Sequence, residues 1–179
     1  MIKKILLVLA IFIIVFIVIV ALQPAEYSIV RTAGIAAPAP AVFGEVNDFH
    51  KWEAWSPWAK LDPEAKNTFE GPPTGTGAIF TWAGNKKVGA GRMKITESNP
   101  DYLIRIKLDF LKPFASTATT EFVFNPEDSQ TAVTWTMTGR KNFISKGFCL
   151  FMNMDKMVGG DFERGLASLK SVVEAANPK

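Results

Sequence analysis

An unbroken apolar run from Ile5 to Leu22, 18 residues of mostly Ile, Val and Leu, constrains this chain more than any other feature. As a helix rising about 1.5 Å per residue it is about 27 Å long, close to the roughly 30 Å hydrocarbon core of a bilayer. A cleaved signal peptide is the competing reading, but its apolar region usually holds only about 7–15 residues and ends at an A-x-A-like site. The run here is longer, and Val20-Ala21-Leu22-Gln23-Pro24 is a poor cleavage site. Residues 1–23 therefore read as an uncleaved signal anchor and residues 24–179 as the domain it carries. Lys3 and Lys4 precede the span and only Arg31 follows it closely, so the positive-inside rule places the N-terminus in the cytoplasm. The expected location is the cell membrane, single-pass, with the domain outside the cytoplasm; cleavage and secretion is the alternative.

The anchor also explains the overall charge. The chain carries 20 Lys and Arg against 17 Asp and Glu, and two of the lysines flank the span, leaving 18 basic against 17 acidic groups in the remaining 157 residues. A near-neutral domain with no Lys/Arg run argues against nucleic acid as a partner, because phosphate binding needs clustered cations. A domain of this size buries roughly 68–70% of its unfolded surface and needs no staples. Cys149 is the sole cysteine, so no intramolecular disulfide forms, which leaves the redox compartment open.

Periodicity then divides the domain. Glu26 to Ile35 reads as a strand ended by Ala36-Ala37-Pro38. Pro40 suits the first turn of a helix, and Val42, Phe43, Val46 and Phe49 continue it to about His50 at helical spacing. Trp52, Trp55 and Trp58, interrupted by Pro57, read as an ordered loop, with the bilayer interface as one place for the indoles. From residue 67 the period is two. Strands are expected at 67–70, 78–82, 92–97, 102–110, 117–124 and 132–138, each with one apolar and one polar face, as in an antiparallel sheet covered on one side. The period returns to helical in the apolar, Met-rich stretch 143–154 and in 156–176, where Val158, Phe162, Leu166, Leu169 and Val173 recur; both stretches are expected to cover the sheet. The order predicts an α+β domain.

This order, with Val46-Asn47-Asp48-Phe49, Trp55-Ser56-Pro57-Trp58, Phe69-Glu70-Gly71, Gly75-Thr76-Gly77-Ala78, Leu108-Asp109-Phe110 and Met154 to Leu166, resembles the START-like or SRPBCC superfamily, and more narrowly the bacterial polyketide cyclase/dehydrase-type proteins. The resemblance covers about residues 26–176 and leaves the anchor outside. It implies a helix-grip fold: a curved antiparallel sheet of about 6–7 strands wrapped around a long C-terminal helix, with an elongated cavity between them. The superfamily places lipid-transfer proteins, cyclases and co-chaperones on one scaffold, so the fold does not choose the activity.

The search for chemistry returns little. His50 is the only histidine and Cys149 the only cysteine, so neither a multi-histidine zinc site nor a zinc finger is available. Cys149 in Phe148-Cys149-Leu150-Phe151 reads as structural, and His50 as a cap or surface residue. Asp155 and Asp161 suit helix N-terminal positions. No metal or organic cofactor and no catalytic residue is expected. The candidate pocket is instead apolar: Trp82, Ile106, Phe110, Thr120, Phe124, Trp135 and Met137 from the strands, facing Phe148, Met152, Met157, Phe162 and Gly165 from the helical cover. Gly159, Gly160 and Gly165 each cost a helix about 1 kcal/mol, which reads either as close packing or a helix break, or as lining of a cavity. On the cavity reading, Gly165→Leu blocks ligand uptake and leaves the fold intact. An apolar pocket with one polar side chain suits binding of a small hydrophobic ligand, a lipid or isoprenoid reached from the bilayer. A cyclase- or dehydrase-like enzyme and a co-chaperone-like interaction module are the alternatives. The sequence leaves the oligomeric state open.

Overall fold

The computed structural model describes residues 2–177. Helix α1, Ile2–Leu22, contains the apolar run, and Val20 is its single buried residue. Strand β1, Glu26–Ile35, has the bounds that its alternation predicts. Helix α2, Ala39–Val46, starts on Pro38 with proline in its first turn, as Pro40 predicts. It ends earlier than expected, and the chain then makes a 3-10 turn, Phe49–Lys51, and a one-turn helix α3, Trp52–Trp55, where an ordered loop was expected. The reason lies in the tryptophans. The Trp52 indole N–H donates to the Val46 carbonyl at 2.9 Å and that of Trp55 to the Glu45 carbonyl at 3.3 Å, satisfying carbonyls that the end of α2 leaves free. Trp52 and Trp55 are buried in the core, so the structure does not place them at a bilayer interface.

Strands β2 (Lys66–Glu70), β3 (Ile79–Ala83), β4 (Ala90–Asn99), β5 (Leu103–Lys112), β6 (Ser116–Glu127) and β7 (Gln130–Arg140) complete the sheet. All neighbours are antiparallel, in the order β1-β7-β6-β5-β4-β3-β2. Register shifts near Ala90 and Thr96 let β4 bend. Six strands follow one another as hairpins, while β1 crosses to pair with the last strand and forms one edge of the sheet.

Helix α5, Met154–Ala176, runs unbroken through Gly159-Gly160 and packs on β1, α2 and α3. Its buried Phe162, Leu166, Leu169 and Val173 are those the spacing predicts. Asn153 caps its start by accepting from Lys156 N–H; Asp155 lies in the first turn, whereas Asp161 sits mid-helix and pairs with Arg164. Helix α4, Phe143–Cys149, departs most from expectation. It has no buried residue, so it does not cover the sheet.

Candidate functional site

Register alone assembles the concave face. One row crosses the sheet through Tyr27, Gly139, Ala118, Leu108, Met93, Phe80 and Phe69; the next holds Ile29, Met137, Thr120, Ile106 and Ile95; a third holds Arg31, Trp135, Phe122 and Ile104. The second and third rows lie under the helices and are filled. Trp135 stacks on Phe162 from α5 with ring centroids 3.9 Å apart and planes 5° from parallel, and on Phe122 at 4.7 Å. Edge-on contacts from Trp52, Trp55 and Trp58 close the block.

The candidate pocket residues therefore divide into three places. Ile106, Thr120, Phe124, Trp135, Met137, Phe162 and Gly165 are buried in this packed centre. Trp82 and Phe110 are half-buried near the end of the sheet, 6.4 Å apart in an edge-to-face pair. Phe148 on α4, Met152 in the α4–α5 junction and Met157 in the first turn of α5 lie exposed. The polarity of Thr120 is spent in structure: its hydroxyl accepts from Trp135 Nε1 at 2.8 Å and donates to the Thr136 carbonyl at 2.9 Å. Of the two readings of the helical glycines, close packing fits Gly159 and Gly165. A Cβ on Gly165 would stand 2.9 Å from the Trp135 ring and 3.1 Å from Pro57, and one on Gly159 would collide with the Arg31 guanidinium. Gly165→Leu is thus expected to disturb the fold, contrary to the reading in which the domain stays intact.

Open space lies beside the first row. A cleft of about 450 Å³ is lined by Tyr27, Ser28 and Ile29 of β1, by Lys141, and by the α4–α5 junction from Cys149 to Asp155, including Met152. A second, shallower groove of about 850 Å³ continues past Tyr27 along the ends of β1, β7 and β6, over Ala118 and Gly139. The Tyr27 ring stands against Gly139, where any Cβ would come within 2.7 Å of its hydroxyl. Sequence reasoning missed Tyr27, Ala118 and Gly139 as a set. The signal was available: Gly139 continues the Val133, Trp135, Met137 alternation, and β7 runs two residues past the expected end at Thr138.

An ion-pair network borders the cleft. Arg31 reaches from β1 to α5, its Nε donating to Glu163 at 2.6 Å and its NH1 to Asp155 at 3.1 Å. The hydrogen bond from Arg31 holds the Asp155 carboxyl below the usual range, and the bonds to Asp155 and Glu163 raise Arg31 in turn. Burial pushes the Tyr27 phenol up, and the charge of nearby Cys149 adds to this. Cys149 is half-buried beside the cleft. His50 is a surface residue, stacked on Phe69 with centroids 4.1 Å apart and bonded through Nδ1 to Asp48. Among the described residues no group of three or more His, Cys, Asp or Glu side chains is placed to hold a metal ion.

A curved seven-stranded antiparallel sheet gripping a long C-terminal helix is the helix-grip architecture of the START-like proteins. Residues 27–174 match the model of the family described as polyketide cyclase / dehydrase and lipid transport, and the chain belongs to that family. No curated protein matches the chain significantly. Solved structures share the fold at low identity. A Chromobacterium violaceum protein aligns with TM-score 0.59 and 13% identity over 85% of this chain and 99% of its own. The Aha1 dimer of Colwellia psychrerythraea aligns with TM-score 0.54 and 16% identity over 83% and 95%. The di-domain ARO/CYC protein StfQ of the steffimycin biosynthetic pathway gives TM-score 0.60 and 13% identity over 85% of this chain and 52% of its own. Family membership supports a ligand-binding or cyclase-like role.

Proposed function

We propose that this protein is a membrane-anchored binding protein for a small hydrophobic molecule, such as a lipid or isoprenoid, with α1 as an uncleaved anchor and residues 24–179 as the binding domain. The observation that carries this reading is the cleft between the start of β1 and the α4–α5 junction. It lies where the apolar helix meets the domain and is lined by Ile29, Leu150, Phe151, Met152 and Met154, with Tyr27, Ser28, Lys141, Asn153 and Asp155 as its polar groups. An apolar wall facing a polar rim suits a ligand with an apolar body and a polar end, and unbranched Met152 and Met154 adapt to its shape. The exposed apolar surface of α1 supports the anchor, since such a surface is stable in hydrocarbon and not in water. The cytoplasmic N-terminus rests on Lys3 and Lys4; alkaline phosphatase fused after Lys179 is active in this orientation and inactive in the reverse one.

Native mass spectrometry of the full chain, gently extracted from membranes, tests the binding. A lipid-sized mass is expected on the protein and is expected to disappear in Met152→Asp, which puts a carboxylate on the cleft wall without touching the packed centre. Reproducible absence of any bound mass from the unaltered chain overturns the proposal. The cyclase-like reading draws on one observation, the position of the Tyr27 phenol in the cleft lining, where its hydroxyl can donate a hydrogen bond to a polar group of the ligand. Turnover lost in Tyr27→Phe with the bound ligand retained would favour it.

A further inference from the structure

We infer that α4, together with the loop between β5 and β6, forms a second membrane contact, seated in the headgroup layer of the bilayer that α1 crosses. The inference rests on the anchoring role proposed for α1 and adds a docking face to it. Exposed apolar side chains are concentrated here: Phe143 is 49% exposed, Ile144 60%, Phe148 55% and Phe151 79%, and across from them Leu111 55% and Phe114 60%. The Phe114 and Phe148 rings lie 6.3 Å apart, so loop and helix present a single patch. Left in water, an apolar surface of this kind needs a partner.

What identifies the bilayer as that partner is where α1 ends. Val20 is fully buried, and a Cβ on Gly147 of α4 would meet its side chain at 3.9 Å. Lys146 Nζ donates to the carbonyl of Ala21 at 3.1 Å, one of the acceptors that the last turn of α1 leaves free. Val20 lies two residues, or about 3 Å along the axis, before the apolar run stops at Leu22. Helix α4 is therefore level with the end of the hydrocarbon span, in the zone where aromatic side chains and lysines settle.

The charge fits as well. Residues 111–120 and 140–154 contain Lys112, Arg140, Lys141 and Lys146 and not one Asp or Glu. Of the acids around these segments, Asp109 is engaged with Lys107 and Thr117 and Asp155 with Arg31, while Glu26 stands across from Arg140 in the β1–β7 register. A short apolar helix that carries Lys146 and is flanked by segments holding Lys112 and Lys141 matches an anionic lipid surface.

The test uses the full chain with Cys149→Ser, in nanodiscs of phosphatidylcholine and phosphatidylglycerol, carrying a fluorophore on one introduced cysteine at a time. Phe114→Cys, Ile144→Cys and Phe151→Cys report the face, Ile11→Cys the anchor, and Thr68→Cys on β2 the aqueous side. Brominated lipid is expected to quench positions 114, 144 and 151 several-fold more than position 68, with iodide showing the reverse order. Iodide quenching at the three positions equal to that at 68, with position 11 still quenched by lipid, overturns the docking face and leaves the anchor standing. Quenching by neither agent also overturns it, because a second copy or another protein then covers the patch. Position 11 inaccessible to lipid overturns the anchoring role itself.

Discussion

Gly160 and Gly165 occupy the same helix and have opposite surroundings. A Cβ on Gly160 would meet only the Arg164 guanidinium at an ordinary 3.7 Å, whereas one on Gly165 meets the Trp135 ring and Pro57. Gly160→Ala is expected to stabilise the domain by about 0.5–1 kcal/mol by relieving the helical penalty of glycine. Gly165→Leu is expected to destabilise it by about 1–3 kcal/mol through overpacking. Denaturant midpoints measure both, and equal effects of the two substitutions would contradict the close approach of α5 to Trp135. Arg31 supplies a pH-dependent test. Because Asp155 has a lowered folded-state pKa, its contribution is complete above the ordinary carboxylate range and is lost as pH falls through that range toward the depressed value. In Arg31→Gln the acid-side decline of stability should be shallower, and the gap between variant and parent should narrow toward low pH. Residue pattern alone shows three helical glycines and an arginine near the span. It does not show which of them touch, since β1 and α5 are more than a hundred residues apart.

At the scale of elements, strands were legible wherever one face meets water and the other the core. Glu26–Ile35 is bounded by its alternation and by Pro38, and Ile104, Ile106 and Leu108 of β5 are buried as their alternation requires. The short helices near Trp52 were not legible, because indole donors to Val46 and Glu45 decide them and such bonds leave no periodic trace. Helix α4 was misread for another reason. Hydrophobicity records avoidance of water without naming what replaces it, so Phe143, Ile144 and Phe148 looked like a cover for the sheet and are exposed instead. The contact of α4 with α1 is checked directly by pairing Val20→Cys with Gly147→Cys in a Cys149→Ser background. Mild oxidation of the full chain should cross-link the pair, while Ile13→Cys with Gly147→Cys should stay reduced.

For the molecule as a whole, the balance between hydrophobic and electrostatic attachment is measurable. A peripheral protein held by its lysines leaves membranes when salt screens the charges. With α1 inserted, the full chain should stay with the membrane fraction after high-salt and alkaline carbonate washes; release by salt alone would place α1 outside the bilayer. The architecture was readable because the chain runs hairpin after hairpin before its long helix. The cleft was not, since it is made by Tyr27 from the first strand and Met152 from near the end of the chain. Three residues, Gln23 to Ala25, separate α1 from β1. Fully extended they reach about 10 Å, and the burial of Val20 draws the domain closer still. On the proposed reading, a domain on so short a leash has no swing: a ligand taken from the membrane would be returned to that same leaflet or collected by something that comes to meet it, and carriage across an aqueous gap would fall to another molecule.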